Sequence, residues 1–364
     1  MKKLLFSAVT LDVGGIETAL VTLLNYLAQE YEITLVLEKK QGLFLDTLNK
    51  KIKVIEYTPN NNKIIFIRKA INYLKQKKFQ KQYKNQFDFS CAYATYSNPA
   101  SFVARTASEN CVLWCHMDYL SQYKGDKNKV KKFFEEKHYR EFSKLVFVSE
   151  KSKETFLEVF PEMQEKVLHI NNLINYREIE QKSLEKIDSN EEELLSKGDG
   201  QTVFLNYGRH DEEQKRLSRI IEAAKRLKED NLNFKILFVG DGNDTEDYKK
   251  MVMDFELEDY IIFLGKKKNP FPYVKMADCI LLTSDYEGSP VVFTETMILN
   301  KPIITTDVAG CEKIENKFGF VVKKEVNDVY EKMKLFIKSG FEIKEKFDPE
   351  KYNSEIISKI KKII

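Results

Sequence analysis

A chain of 364 residues exceeds one ordinary core and suits two domains that share a cleft; with 43% hydrophobic and 32% charged residues and no low-complexity tract, it is not a disordered chain. The net charge of +3 conceals an asymmetry, because residues 1–175 hold 27 Lys/Arg against 19 Asp/Glu and the remainder holds 32 against 37. No stretch approaches the roughly 20 apolar residues that span a bilayer, so the expectation is a soluble protein or one lying on a membrane surface.

Met1-Lys2-Lys3 followed by an apolar run imitates a signal peptide, but Asp12 ends the run too early, and residues 3–9 read better as a buried first strand. Gly14-Gly15-Ile16-Glu17 follows, opening a helix with Leu20, Leu23, Leu24 and Leu27 on one side. Glycines at such a strand-to-helix turn let backbone N–H groups approach an anion, although on its own a Gly-Gly pair is more often a plain tight turn. Further strands are expected at residues 33–37, 53–57, 89–94, 111–115 and 145–148, short and often β-branched, as buried parallel strands are.

Between them, residues 63–84 carry eight Lys/Arg and no acid, with Ile64, Ile67, Ile71 and Leu74 spaced for one helical face. Such a helix either packs on a core with a solvated face or lies on anionic lipid. A second basic cluster, Lys124 to Lys132, precedes Phe133-Phe134. Few aromatics interleave the basic runs, which argues against nucleic acid. Cys111 and Cys115 stand beside His116, but zinc sites usually add a second ligand pair; the five cysteines read as buried thiols of a reducing cytoplasm.

Apolar periodicity fades over residues 176–200 through Glu180-Gln181-Lys182 and Asn190-Glu191-Glu192-Glu193, which reads as a polar linker between domains at 1–175 and 201–340. The strand rhythm then restarts at residues 202–206, 234–239, 261–264, 279–283 and 302–305. Alternation of strand and helix in both halves argues two doubly wound α/β sheets. Residues 341–364 close the chain with Ile356, Ile357, Ile360, Ile363 and Ile364 at helical spacing, a helix that needs an apolar partner, the N-terminal domain being one candidate.

Chemistry gathers in the second half. Gly208-Arg209-His210 leaves one strand, with Lys215 six residues after Arg209, and the two cations suit a diphosphate or are simply solvated. Gly240-Asp241-Gly242 and Leu264-Gly265 end the next two strands, as a ligand crevice at strand ends requires. After residues 279–283 come Glu287, Gly288, Ser289 and Pro290, then a helix in which Val291 and Val292 offer free amides and Glu295 lies one turn in. Two acids around one crevice can accept hydrogen bonds from sugar hydroxyls or form a solvated pair.

Residues 277–310, ADCILLTSDYEGSPVVFTETMILNKPIITTDVAG, resemble the donor-binding signature of the retaining glycosyltransferases of family 4, with its E-x7-E motif. Gly14-Gly15-Ile16-Glu17, Val148-Ser149-Glu150, Asn172, Gly208-Arg209 with Lys215, and Gly240-Asp241-Gly242 are similar to the same family in the same order. The resemblance covers nearly the whole chain. It implies a GT-B architecture, two Rossmann-like domains facing a central cleft.

Carried over, it implies that Arg209 and Lys215 hold the diphosphate with amides near Gly15, Val291 and Val292, and that Glu295 binds the ribose. Glu287 and His116 would face the transferred sugar, and the loop after Leu264 would take the base. Ser289 and His210 depart from the family, which often has aromatic or aliphatic residues there, and leave the donor open.

The resulting expectation is transfer of a hexose-type sugar, from a UDP-sugar foremost, to a hydroxyl of a glycan or lipid-linked acceptor in cell-surface polysaccharide or glycolipid assembly. It requires no metal or other cofactor, since the developing charge falls on the departing phosphate. The expected location is the cytoplasm or the inner face of the cell membrane. Two rivals are a sugar-nucleotide epimerase of the same fold, which would release no nucleotide, and a non-enzymatic basic membrane-binding module.

Overall fold

In a computed structural model, which describes residues 1–12, 14–187, 191 and 195–364, the strands form two all-parallel sheets in two units. Val13 and residues 190, 192 and 193 of the acidic run lie outside the described residues.

The first unit comprises Met1–Ile174 and Lys351–Ile364. Its seven strands are β1 (Lys3–Ala8), β2 (Glu32–Leu37), β3 (Lys53–Glu56), β4 (Phe89–Ala92), β5 (Cys111–Cys115), β6 (Lys144–Phe147) and β7 (Val167–His169), ordered β3-β2-β1-β4-β5-β6-β7. Helices cover the sheet, so inner strands such as β4 and β5 are buried at every position and read as unbroken apolar runs. The closing helix Pro349–Ile363 seats Ile356, Ile360 and Ile364 in the same core as β1, β2 and the helix Gly15–Leu27. Polar ties fix its register. Asn353 exchanges hydrogen bonds with the backbone of Ile174, Lys361 pairs with Glu30, and Asn110 donates to the Ile363 carbonyl.

The second unit, Asn175–Glu350, holds β8 (Thr202–Tyr207), β9 (Phe234–Val239), β10 (Ile261–Gly265), β11 (Cys279–Leu282), β12 (Ile303–Thr306) and β13 (Gly319–Val322), ordered β10-β9-β8-β11-β12-β13. The segment read as a linker instead begins with a helix, Tyr176–Lys182, which buries Ile179, and Leu195 joins the core. Most of its described polar residues are exposed, while Ser183 is buried with these apolar anchors. Strands β7 and β13 add an edge to each sheet. Four-residue β13 is admitted by Gly319, since a Cβ there would lie 1.8 Å from the Ile303 carbonyl oxygen.

In each sheet the strand order reverses once, between β1 and β4 and between β8 and β11. At such a switch point the loops leave the strand ends in opposite directions and open a crevice. The loops after β8 and β11 hold most of the residues singled out above.

Candidate functional site

The β8 loop begins at Gly208, whose φ of +148° suits glycine, and runs through Arg209 to Arg216 before the helix Leu217–Glu229. Asp211 gathers this loop, its carbonyl accepting from the amides of Lys215 and Arg216 and its carboxylate from the Gln214 amide. The β11 loop is laced to it. The Asp285 amide donates to the Gln214 carbonyl at 2.8 Å, Thr283 Oγ1 donates to the carbonyls of Lys215 and Arg216, and Asp285 takes ion pairs from Arg216 and Arg219, both at 2.9 Å.

Within this frame Lys215 Nζ stands 2.6 Å from Glu287 Oε1, and Ser284 Oγ donates to the same oxygen at 2.7 Å. Gln214 Nε2 reaches the Tyr286 carbonyl at 3.2 Å and the second Glu287 oxygen at 3.5 Å, while its Oε1 accepts from Arg209 at 3.0 Å. Glu287 is only 6% exposed, so its charge depends on these donors, whereas the Arg209 side chain is 63% exposed and also meets Asp211 at 3.4 Å. One cation is therefore locked in place. The other is mostly exposed, with Gln214 and Asp211 as its partners.

Glu295 projects from the helix Val291–Ile298 and accepts from Tyr207 Oη at 2.8 Å. Burial pushes its carboxyl up to about 7, partly offset by that hydrogen bond. Pro290 occupies the N-cap of this helix, one position earlier than the first-turn place its ring suggested, and no side chain caps the turn that Val291 and Val292 begin. Gly288 and Ser289 form the bend between Glu287 and Pro290.

The two glycines after β9 prove to be a packing device. A Cβ at Gly240 would fall 1.8 Å from the Gly208 carbonyl oxygen, and one at Gly242 would fall 1.9 Å from that of His210. Backbone bonds run from Gly208 to Val239, from His210 to Asp241 and from Gly240 to Gly265, so the three loops zip together, with Leu264 and Gly265 closing β10. His210 is buried in this seam with Nδ1 2.9 Å from Thr245 Oγ1. Because Thr245 Oγ1 donates to Asp241 at 2.8 Å, the proton between them belongs to His210 Nδ1, and burial lowers the pKa of the ring. His210 therefore braces the loops.

In the first unit, Gly14 caps the helix Gly15–Leu27 without a side-chain hydrogen bond, and its φ of −176° is ordinary extended backbone. Glu17 in the first turn has its carboxyl raised by burial. His116 follows β5, its ring 4.5 Å from that of Tyr93, and burial holds its pKa down to about 3, so the imidazole is neutral. Its buried Nε2 has no hydrogen-bond partner among the described residues. Cys115, beside it, is a fully buried thiol with its pKa pushed up by desolvation. Among the described residues no group of three His, Cys, Asp or Glu side chains is placed to hold a metal ion.

The structure thus joins Lys215, Glu287 and Arg209 in one network and sets Glu295 on its own helix in the same unit. Sequence reasoning missed Gln214, Ser284 and Tyr207; Gln214 touches two of these four and the others one each. Ser284 lies three residues before Glu287 and was legible only as part of a loop; Tyr207 and Glu295 are 88 residues apart.

Residues 187–354 match the family model of the glycosyl transferases group 1. An uncharacterised glycosyltransferase of Methanocaldococcus jannaschii is 25% identical over 197 residues, covering 54% of this chain and 48% of that relative. An N-acetylgalactosaminyltransferase of Campylobacter jejuni, named for a diphospho-undecaprenol-linked acceptor, is 24% identical over 93% of this chain and 90% of its own length. The solved structure of HepE from Anabaena, in complex with UDP and glucose, superposes with a TM-score of 0.76 at 16% identity over all of both chains. The fold is GT-B.

Proposed function

We propose that this chain, with its GT-B fold and its group 1 match over residues 187–354, is a retaining glycosyltransferase of family 4 that uses a UDP-sugar donor. The observation that carries the reading is the buried Lys215–Glu287 pair with Ser284 and Gln214 at the switch point between β8 and β11. Burying a charge pair is costly, and here it fixes an ammonium and a carboxylate where a strand-end ligand would lie.

In this reading Arg209 and Lys215, with the amides of Val291 and Val292, take up the charge that grows on the departing diphosphate. Glu287 and Glu295, spaced as the E-x7-E pair, accept hydrogen bonds from the transferred sugar and the ribose. Gly208, Gly240, Leu264 and Gly265 shape the base end. The resemblance alone assigns Gly14 and Gly15 to the phosphates and His116 to the sugar. The acceptor hydroxyl attacks the anomeric carbon on the face that the nucleotide leaves, its proton passing to the departing phosphate oxygen. No divalent ion is assigned a role.

The Campylobacter jejuni relative makes a glycan or lipid-linked hydroxyl the acceptor class to try first. Purified protein is to be offered UDP- and GDP-sugars with and without such acceptors. Nucleotide release that depends on acceptor and disappears in Glu287→Gln supports the reading. Conversion of the donor to an isomer without nucleotide release rejects it.

A further inference from the structure

Two ion-pair rungs join the loops after β8 and β11. In the first, Lys215 meets Glu287 at 2.6 Å. The second lies beside it, because Arg216 directly follows Lys215 and Asp285 stands two residues before Glu287, and their side chains meet at 2.9 Å.

Arg216 has a φ of +53°, in the left-handed region that glycine enters freely and an arginine enters at a cost. The turn is held from both sides, since the amides of Lys215 and Arg216 donate to the Asp211 carbonyl and their own carbonyls accept from Thr283 Oγ1. Such a turn favours glycine, yet it carries a guanidinium bonded at both ends. Arg216 Nη1 reaches Glu212 at 2.8 Å, while its Nε donates to Asp285. Glu212 in turn accepts from Ser218 Oγ at 2.7 Å and from Tyr248 Oη at 2.9 Å, and its amide donates to Asp244 at 2.8 Å. The other oxygen of Asp285 is taken by Arg219 at 2.9 Å. A strut therefore runs from the helix Thr245–Asp254 through Glu212 and Arg216 to the β11 loop.

The two rungs differ in what a ligand would do to them. Lys215, Glu287 and Arg209, with Gln214 between the last two, spend their hydrogen bonds on one another. A sugar nucleotide would claim the same donors and acceptors, so the bonds of the first rung weaken as the site fills. Loop spacing then falls to bonds that the ligand does not draw on. With side chains 42% and 29% exposed, the Arg216–Asp285 pair adds little to stability, and its effect is on geometry.

We propose that Arg216 is a positioning residue, whose guanidinium, with Asp285 and Glu212, keeps Lys215 and Glu287 in register once a sugar nucleotide has drawn on their charges. This role presupposes the transferase reading and adds to it a residue that touches no substrate.

Arg216→Gly removes the strut and gives the turn its least strained residue, so the variant is expected to melt within about 5 °C of the parent. In acceptor-dependent nucleotide release, kcat is expected to fall about tenfold with the donor KM within about threefold, because misplaced charges cost transition-state stabilisation more than binding. Arg216→Lys, which keeps a cation beside Asp285, is expected to recover part of kcat. A kcat within about twofold of the parent in Arg216→Gly overturns the proposal. So does a fall in kcat joined to a larger loss of melting temperature, which would make Arg216 a structural residue. Hydrogen exchange needs no turnover: residues 283–289 are expected to exchange several-fold faster in Arg216→Gly, and more so with UDP added, while β12 and β13 stay as in the parent. Equal exchange in variant and parent sinks the strut even in a protein that transfers no sugar. A parent that releases no nucleotide from any UDP- or GDP-sugar, but whose residues 283–289 loosen in the variant, rejects the transferase reading and leaves the strut standing.

Discussion

Lys215 and Glu287 are each other's main charge partner in a place where water is scarce, so single substitutions confound folding with function. Glu287→Ala strands a part-buried ammonium and costs up to the roughly 3–5 kcal/mol of a broken buried pair. Glu287→Gln keeps a hydrogen-bond acceptor for Lys215 and costs less. Replacing both residues by Met removes the uncompensated charge and is expected to regain most of the lost melting temperature while donor turnover stays at least a hundredfold down. Thermal denaturation beside nucleotide-release kinetics separates the two effects, and a double variant that recovers turnover excludes the pair from catalysis.

Glu295 permits a test by pH. Its carboxyl, raised by burial to about 7 from an ordinary value near 4.5, binds a proton more tightly when folded than when unfolded. The penalty is absent below about pH 4.5, grows between there and pH 7, and is complete above. Glu295→Gln should therefore melt higher than the parent at pH 8 and equally at pH 4.5. If the ionised carboxyl accepts ribose hydroxyls, affinity for a sugar nucleotide rises from pH 6 to pH 8 in the parent and is flat in the variant. Isothermal titration at the two pH values reads this out; a parallel rise in both proteins removes Glu295 from the ribose.

At the scale of elements, the closing helix Pro349–Ile363 is part of the first unit although it is last in the chain. Ile356 and Ile360 sit among β1, β2 and the helix Gly15–Leu27, so Ile360→Ala should cost about 2–4 kcal/mol through transfer and cavity terms. Hydrogen exchange should show lost protection in β1 and β2 with β8 and β11 unchanged; uniform loss over both sheets would mean that the helix stabilises the chain in another way.

Spacing revealed this helix because one apolar stripe needs no knowledge of its partner. Inner strands were legible for a similar reason, since burial on both faces writes an apolar run into the sequence. Strand β13 was not, because Gly319 serves a close approach to a carbonyl 16 residues earlier, in β12. Arg209, Lys215 and Glu287 stood out as charges in the loops after strands, and Glu295 as an acid one turn into the following helix. Gln214 and Tyr207 did not, because their meaning lies in hydrogen bonds to residues 73 and 88 positions away. The glycines at 240 and 242 were visible as loops, but that they serve loop-to-loop contact depends on strands that only the folded sheet makes neighbours.

For the whole molecule the proposed transfer has two consequences that belong to no single residue. If cations of the chain, Arg209 and Lys215, carry the charge of the leaving diphosphate, then electrostatic stabilisation is already present before substrate arrives and no ion has to be recruited. Turnover should persist in excess EDTA within about twofold of the untreated rate, whereas Arg209→Ala, which removes an exposed cation and leaves the Lys215–Glu287 pair intact, should lower it by about a hundredfold with little change in melting temperature. Activity abolished by EDTA and restored by Mg²⁺ or Mn²⁺ would shift the charge-neutralising role from the chain to a metal.

The second consequence is stereochemical, because attack on the face that the nucleotide leaves keeps the anomeric configuration of the donor. Proton NMR of the first product formed from an α-linked donor should show an α-linkage. A β-linked product would retain the GT-B frame and the donor residues but require a base on the opposite face of the sugar, a role for which neither Glu287, held by Lys215 and Ser284, nor Glu295, held by Tyr207, is arranged.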